Sequence, residues 1–383
     1  MSYKSISICR KFSLLAIGLL LLQAGHAQYN FSKVDDWLSN NLDAIGGRAV
    51  LVIFKDGKEV YSKAENDLSG RQKRIGKFIA KRQGKDADEM LQDFTPGTKE
   101  RIASCSKWLS AAMVMTFVDE GKLSLEDTIG KFLPVMTANG KGNIKIWQCL
   151  SHLTGIKAGS LKESLNEMKS LNNMYEAMEA LAKLPMEGEP GKTFHYSNVG
   201  LQIAGAIMEK ISGKSFETLF AERIAIPCNM VNSDFGKGKV ALPAGGGWST
   251  AADYANFLQM ILQKGVFKGK RILSSQSIIE MQKNRVPKDA VIASSPAEAG
   301  NWGYGFGEWV MDSPLQTSPE RGGLPTSFRS DAVCSPGLFG SFPWVDNKKQ
   351  STGFLMTFNI RNKGRNERYK ELKRLVDEAL ATQ

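Results

Sequence analysis

The sequence predicts an α+β fold: an antiparallel sheet assembled from both ends of the chain, flanked by helices, with a mostly helical lobe inserted between those ends. Three observations carry that prediction. Strand-like runs with turn punctuation lie near residues 49–61 and again between Tyr304 and Ile360. The stretch between them is dominated by helical periodicity. Finally, one of its helices, starting near Ser104, is apolar on nearly every side and therefore belongs in a core.

Taken in order, the chain opens with Lys4, Arg10 and Lys11 ahead of an apolar run from Phe12 to Leu22, leading to Gly25-His26-Ala27. This is the pattern of an export signal with cleavage after Ala27. The run is too short for the roughly 20 residues that cross a bilayer as a helix, so a removed signal is expected rather than an anchor. Cys9 precedes the run and no cysteine follows it where a lipid would be attached. A periplasmic or secreted protein is therefore expected. What remains exceeds the ~250–300 residues one core usually serves, and two lobes are predicted: 28–103 with 246–383, and 104–245.

The run Ala49 to Phe54, the turn Asp56-Gly57 and Val60-Tyr61 read as a hairpin. Seven basic residues then crowd between Arg71 and Lys85, with Phe78 the lone aromatic among them. A solvated helix face is the expectation there, because a nucleic-acid groove would interleave stacking aromatics. Further helices are predicted from Val199 to a stop at Gly213, and from Thr250 to Ile261, where Thr250 and Asp253 form a capping box. Strands are expected at Tyr304 to Val310, Phe339 to Val345 and Gly353 to Ile360. A closing helix follows, with Tyr369, Leu372, Val376, Ala379 and Leu380 on one face.

The full chain carries a formal charge of +11. Three of those charges sit in the leader, which has no acid, so the remainder keeps about +8 and would attract anionic polymers. Cysteines 105, 149, 228 and 334 form no C-x-x-C pair and have only His152 and His195 to join them. Neither zinc nor any cofactor is expected, and buried free thiols are favoured over disulfides.

Ser104-Cys105-Ser106-Lys107 is the only S-x-x-K in the chain. At helical spacing the serine and lysine share a face, so the two side chains can meet. A lysine in an apolar helix loses its charge cheaply and can take the serine proton, while backbone N–H groups at the helix start can hold an oxyanion. Tyr196-Ser197-Asn198 follows a Gly-Glu-Pro-Gly loop and supplies a phenol for proton relay and an amide for a substrate carbonyl or for Lys107. Tyr254-Ala255-Asn256 has the same Y-x-N form but suits a core helix face. Gly247-Trp248-Ser249-Thr250-Ala251 falls one residue short of a nucleophile elbow, and Ser249 reads as structural.

These residues resemble the serine β-lactamase and penicillin-binding-protein superfamily, in particular its branch of class C β-lactamases, D-Ala-D-Ala carboxypeptidases and esterases. Arg101 to Trp108 is similar to the family's nucleophile segment, Leu150 to Ile156 to its L-S-H-x-S-G-L turn, Tyr196 to Met230 to its Y-S-N segment, and Gly246 to Asp253 to its G-G-x-x-S-T-A-x-D segment. The resemblance implies the β-lactamase/transpeptidase-like fold, with Ser104 as nucleophile, Lys107 as general base, Tyr196 as proton relay and Asn198 as a polar substrate contact. His152 is implied to be a structural hydrogen-bonder, and His195 inherits no role. The family's third motif, Lys-Thr-Gly or His-x-Gly on a sheet-edge strand, is replaced near Cys334-Ser335-Pro336-Gly337-Leu338, which makes Ser335, Gly337 and Leu338 the candidate substrate-binding residues. The glycine is kept and the cation is lost, which favours a protonated Tyr196, Lys107 as principal base, and ester or amide substrates without a carboxylate. Arg321 or Arg329 is the candidate replacement cation. The rival expectations are a β-lactamase or D-Ala-D-Ala carboxypeptidase acting on cell-wall-like peptides, and a non-catalytic scaffold. No nucleic-acid partner is expected.

Overall fold

A computed structural model describes residues 29–84, 86–300, 302–314, 332–359 and 363–381. Residues 1–27, where an export signal is expected, and Arg321 and Arg329 lie outside the described residues. Seven strands form the main sheet: β1 (Arg48–Lys55), β2 (Lys58–Asn66), β3 (Trp302–Tyr304), β4 (Trp309–Pro314), β5 (Ala332–Cys334), β6 (Phe342–Asp346) and β7 (Ser351–Thr357). The helices around the sheet and the site include α1 (Ser32–Asn41), α2 (Gly70–Gln83), α3 (Ala87–Leu91), α4 (Ser106–Asp119), α5 (Leu161–Ser170), α6 (Val199–Ser212), α7 (Ala251–Leu262) and α8 (Arg365–Ala381).

The sheet is antiparallel throughout, in the order β2-β1-β7-β6-β5-β4-β3. Its first hairpin turns at Asp56 and Gly57, both with positive φ (49° and 77°), the geometry that a two-residue loop imposes to match strand twist. β1 then pairs with β7, so residues near the two ends of the chain are hydrogen-bonded neighbours from Ala49–Thr357 to Lys55–Ser351. Both faces of β1 are covered. Ala49, Leu51 and Ile53 join a core with α1 and α8, whereas Val50 and Val52 join a larger core with α4, α6 and α7. That is why β1 reads as an unbroken apolar run rather than an alternating one.

Two predicted strands need correction. Tyr304 to Val310 is not one strand but the turn of a hairpin: β3 ends at Tyr304, residues 305–308 reverse the chain, and β4 starts at Trp309. Gly305 and Gly307 make that reversal possible, since a Cβ on Gly307 (φ 76°) would lie 2.4 Å from the Lys107 carbonyl oxygen. The segment predicted to begin at Phe339 becomes β6 only at Phe342, because Gly337 and Ser341 first close a tight turn. β5, which leads into the replaced third motif, lies inside the sheet between β6 and β4 rather than at its edge.

The predicted capping box at α7 is half formed. Thr250 accepts a hydrogen bond from the Asp253 N–H at 3.0 Å, but the Asp253 carboxylate accepts from the Asn232 N–H (2.7 Å) and the Ser233 hydroxyl (2.8 Å) instead of closing the box. α6 stops at Gly213 in the left-handed conformation, and α8 buries the five residues predicted for its inner face. All four described cysteines are buried free thiols.

α8 is fastened to the sheet by a buried charge network. Lys373, fully buried, donates to Asp346 at the end of β6 (2.8 Å) and to Asp377 (2.6 Å). Asp346 also accepts from the Lys349 N–H at 2.8 Å, and the cations hold its carboxyl below the usual range against the opposing effect of burial. Removing one partner of such a pair leaves a buried charge uncompensated. Lys373→Met is therefore expected to lower unfolding stability by about 3 kcal/mol, and Lys373→Met combined with Asp346→Leu to recover much of that loss in denaturant titration.

Candidate active site

Ser104 lies in a tight helical turn, Ala103–Cys105, that runs directly into α4. Ala103 takes a left-handed φ of 46°, an unfavourable conformation for a residue with a Cβ. Neighbouring contacts enforce it: the Ile102 N–H donates to the Gly247 carbonyl (3.0 Å), and Cys105 N–H to the Ile102 carbonyl (3.1 Å). The Gly247 N–H in turn donates to the Ser106 hydroxyl at 2.9 Å. Two residues on each side, Glu100–Arg101 and Trp248–Ser249, complete the join as a short antiparallel pair. The G-G-x-x-S-T-A segment thus stitches the nucleophile turn in place. Ser249 is wholly buried, 2.8 Å from the Ser233 hydroxyl, and Tyr254 is buried with its hydroxyl donating to the Cys105 carbonyl at 2.8 Å. Both are structural, as the sequence suggested.

Lys107 is 1 % exposed. Its Nζ lies 3.1 Å from Ser104 Oγ, 2.8 Å from the Ala244 carbonyl oxygen and 3.4 Å from Asn198 Oδ1. Burial pushes the amine down to about 7. Two of its three neighbours are carbonyl oxygens, which only accept hydrogen bonds. A neutral amine donating its two protons to them directs its lone pair at the Ser104 hydroxyl, which is the geometry a general base requires.

Tyr196 and Asn198 precede and cap α6, and both line the same cleft as Ser104 and Lys107. The Tyr196 ring stacks on Trp309 (centroids 5.2 Å apart, planes at 28°) and lies 4.6 Å from the His152 ring. Lys107 Nζ sits 4.8 Å from the ring's centre. His152 bonds Tyr304 Oη at 3.1 Å, accepts weakly from the Ser197 N–H (3.4 Å) and is held well below its usual pKa by burial. It braces the Y-S-N segment. His195 is paired with Glu187.

Of the three candidates in the replaced third motif, only Leu338 lines the cleft, joined there by Pro336. Ser335 is buried and turns inward, its hydroxyl donating to the carbonyls of Gly307 (3.0 Å) and Ser104 (3.3 Å). Gly337 gives its N–H to Ser341 (2.8 Å), and a Cβ there would lie 2.5 Å from the Ile102 carbonyl oxygen. The motif's serine and glycine thus pack the strand against the nucleophile turn, a different task from holding substrate. The Leu338 N–H, by contrast, makes no hydrogen bond to a described residue.

Sequence reasoning missed the Ala244 carbonyl, which carries no side-chain signature, and Trp309, which was hidden inside a misplaced strand boundary. A cleft of about 210 Å³ lies over Ser104. A second chamber of about 200 Å³ adjoins it through Gly159, Ser164 and Asn198, walled by Leu165, Met168, Leu181 and Leu242 and bordered by Glu163 and Glu167.

The family model described as Beta-lactamase matches residues 35–379. The chain belongs to the beta-lactamase family. Protein Rv1367c of Mycobacterium tuberculosis (strain ATCC 25618 / H37Rv) is 26 % identical over 299 residues, spanning 64 % of this chain and 71 % of that protein. A solved structure of a candidate beta-lactamase from Bacteroides dorei DSM 17855 superposes with a TM-score of 0.72 at 26 % identity, covering 92 % of this chain and 99 % of that one. A family VIII carboxylesterase superposes with a TM-score of 0.65 at 20 % identity, over 90 % and 97 % of the two chains. The fold is thus the β-lactamase/transpeptidase-like fold that the sequence predicted.

In this family member, the buried lysine has a cost that depends on pH. Because its folded pKa lies below its unfolded value, the penalty is present in full below pH about 7 and is relieved as pH rises toward a lysine's ordinary value of 10.5. Lys107→Met is expected to be more stable than wild type at pH ~6, by a margin that shrinks as pH rises toward ~10, as read from denaturant midpoints.

Proposed function

We propose that the protein is an exported serine hydrolase that transfers the acyl group of neutral esters, or less readily amides, through an acyl-Ser104 intermediate to water. The observation that carries this reading is the buried Lys107 amine, 3.1 Å from Ser104 Oγ and lowered to about 7. Lys107 accepts the Ser104 proton as Oγ attacks the acyl carbon. The N–H groups of Ser104 and Leu338 receive the oxyanion. The proton then passes by way of the Tyr196 phenol to the leaving oxygen, and water, deprotonated by the same lysine, releases the acid. Asn198 orients Lys107 and the acyl carbonyl.

Substrate class follows from charge. Lys107 is the sole basic side chain among the described residues lining the cleft, and the adjoining chamber has apolar walls with Glu163 and Glu167 beside them. An acyl donor with a neutral, apolar arm meets no electrostatic penalty there, whereas a carboxylate gives up hydration with no ion pair open to it except to Lys107, the amine that must stay neutral to act as base. The beta-lactamase or D-Ala-D-Ala carboxypeptidase reading needs that ion pair, so esters rank above it; a non-catalytic scaffold would have no use for a costly buried base. The same proposal includes the two-lobe division at 28–103 with 246–383 and 104–245, and removal of residues 1–27. N-terminal sequencing of secreted protein tests the cleavage.

Ser104→Ala is expected to abolish turnover and labelling by a fluorescent phosphonate while the protein stays folded, and Ser249→Ala to keep labelling. An active Ser104→Ala would refute the mechanism. In wild type, kcat/KM for short p-nitrophenyl esters should rise with pH through an ionisation near 7 that is absent from the residual activity of Lys107→Ala. Matched esters ending in a free carboxylate should react about tenfold to more than a hundredfold less efficiently, a gap that Pro336→Lys narrows. Faster hydrolysis of nitrocefin or D-Ala-D-Ala peptides than of neutral esters would reverse the substrate assignment.

A further inference from the structure

Helix α2 presents an unusual surface. Its narrow inner face is made of Gln72, Gly76 and Ala80, spaced four residues apart. Ala80 is fully buried, and a Cβ on Gly76 would lie 2.5 Å from Leu91 Cδ2 of α3, so the helix is seated as closely as a glycine allows. Both ends are closed by the helix's own neighbourhood: Ser69 and Gln72 form a reciprocal capping box, and Gly84 at φ 64° returns its N–H to the last turn. Such a helix stands without a covering partner.

Among the described residues of the helix, every side chain outside that narrow face is exposed. Phe78 is 66 % exposed, Ile75 47 % and Ile79 38 %, and their spacing of three and four residues makes them one stripe. Around the stripe, Arg71, Lys73, Arg74, Lys77, Lys81 and Arg82 are all exposed, and the helix holds no acidic residue. None of the six pairs with a described acidic side chain. Solvation explains the charges, which the sequence alone assigned to a solvated face. It does not explain three large apolar side chains held side by side in water.

We propose that α2 is a membrane-surface element that lies flat on bilayers containing anionic phospholipid, with Phe78, Ile75 and Ile79 entering the interface and the basic side chains meeting the headgroups. A basic helix with an apolar stripe gains from both contacts at once, and long Lys and Arg stems let their charges reach the headgroups while the stripe sinks. A polyanionic chain such as a nucleic acid would use the charges but leave the stripe exposed. No described helix is long and apolar enough to cross a membrane, so α2 would hold the protein at the surface without spanning it. The inference is independent of the proposed hydrolytic chemistry.

Co-sedimentation of the full chain with phosphatidylcholine vesicles, with and without about 30 mol % phosphatidylglycerol, tests it. Wild type is expected to partition at least about tenfold more strongly onto the anionic vesicles, with binding that weakens as salt rises. Phe78→Ser with Ile79→Ser should reduce partitioning onto anionic vesicles about tenfold or more, and Arg74→Glu with Lys77→Glu should remove the anionic preference. Residues 12–22 are identical in every form, so differences between variants belong to α2, and circular dichroism checks that each is folded. The proposal is overturned if wild type shows no anionic preference. It also fails if the Phe78/Ile79 variant binds as tightly as wild type, or if polyphosphate competes equally with both, since α2 would then be a polyanion site.

Discussion

A lysine amine kept out of water is the constraint on which the rest of this structure depends. Lys107 can sit at the start of α4 only because the helix is buried at every position from Ser106 to Phe117, and only if carbonyl oxygens replace the water it has lost. Ala244 and Asn198 supply those oxygens from two separate segments. A chain that kept Ser104 and Lys107 but let the 242–247 loop swing away would leave the amine unsatisfied, or let water in and restore its charge.

Much of the surrounding architecture serves to hold those segments still. Ile102, Ser106 and Gly247 exchange hydrogen bonds across the base of the site, Ser110 ties α4 to the Pro243 carbonyl at 2.6 Å, and Ser335 reaches from β5 to the Ser104 and Gly307 carbonyls. The left-handed Ala103 is tolerated because it is fixed from both sides. The Tyr196 ring is confined by aromatic contact with His152, Tyr304 and Trp309.

The parts legible in sequence were those encoded by local spacing. The hairpin at Asp56-Gly57, the stop at Gly213, the buried helix after Ser104 and the Y-S-N segment each carry a pattern within a few residues. What could not be read depends on contacts distant along the chain. Asp253 abandons its capping box because Asn232 and Ser233 offer donors that no local rule anticipates. Gly305 and Gly307 break one apparent strand into a hairpin because the Met281 carbonyl crowds the first and α4 approaches the second. Ser335 and Gly337 occupy the expected motif yet face inward, since with no cation to present, the strand is free to use its serine for packing.

The loss of that cation and the lysine base are linked on the proposed mechanism. The amine is useful only while neutral, and its pKa near 7 is the outcome of desolvation with little opposing charge. A substrate carboxylate entering a cleft in which Lys107 is the sole described basic group would pair with it, raise its pKa and convert the base into an ammonium ion. A cation in the third motif would prevent this by taking the carboxylate itself and by disfavouring a second positive charge nearby. Without it, an anionic substrate switches off the group that must activate Ser104, so the penalty falls on catalysis as well as on binding. Neutral acyl groups leave the amine free to act, and for this reason the apolar chamber beside Asn198 and the missing cation point to the same class of substrate.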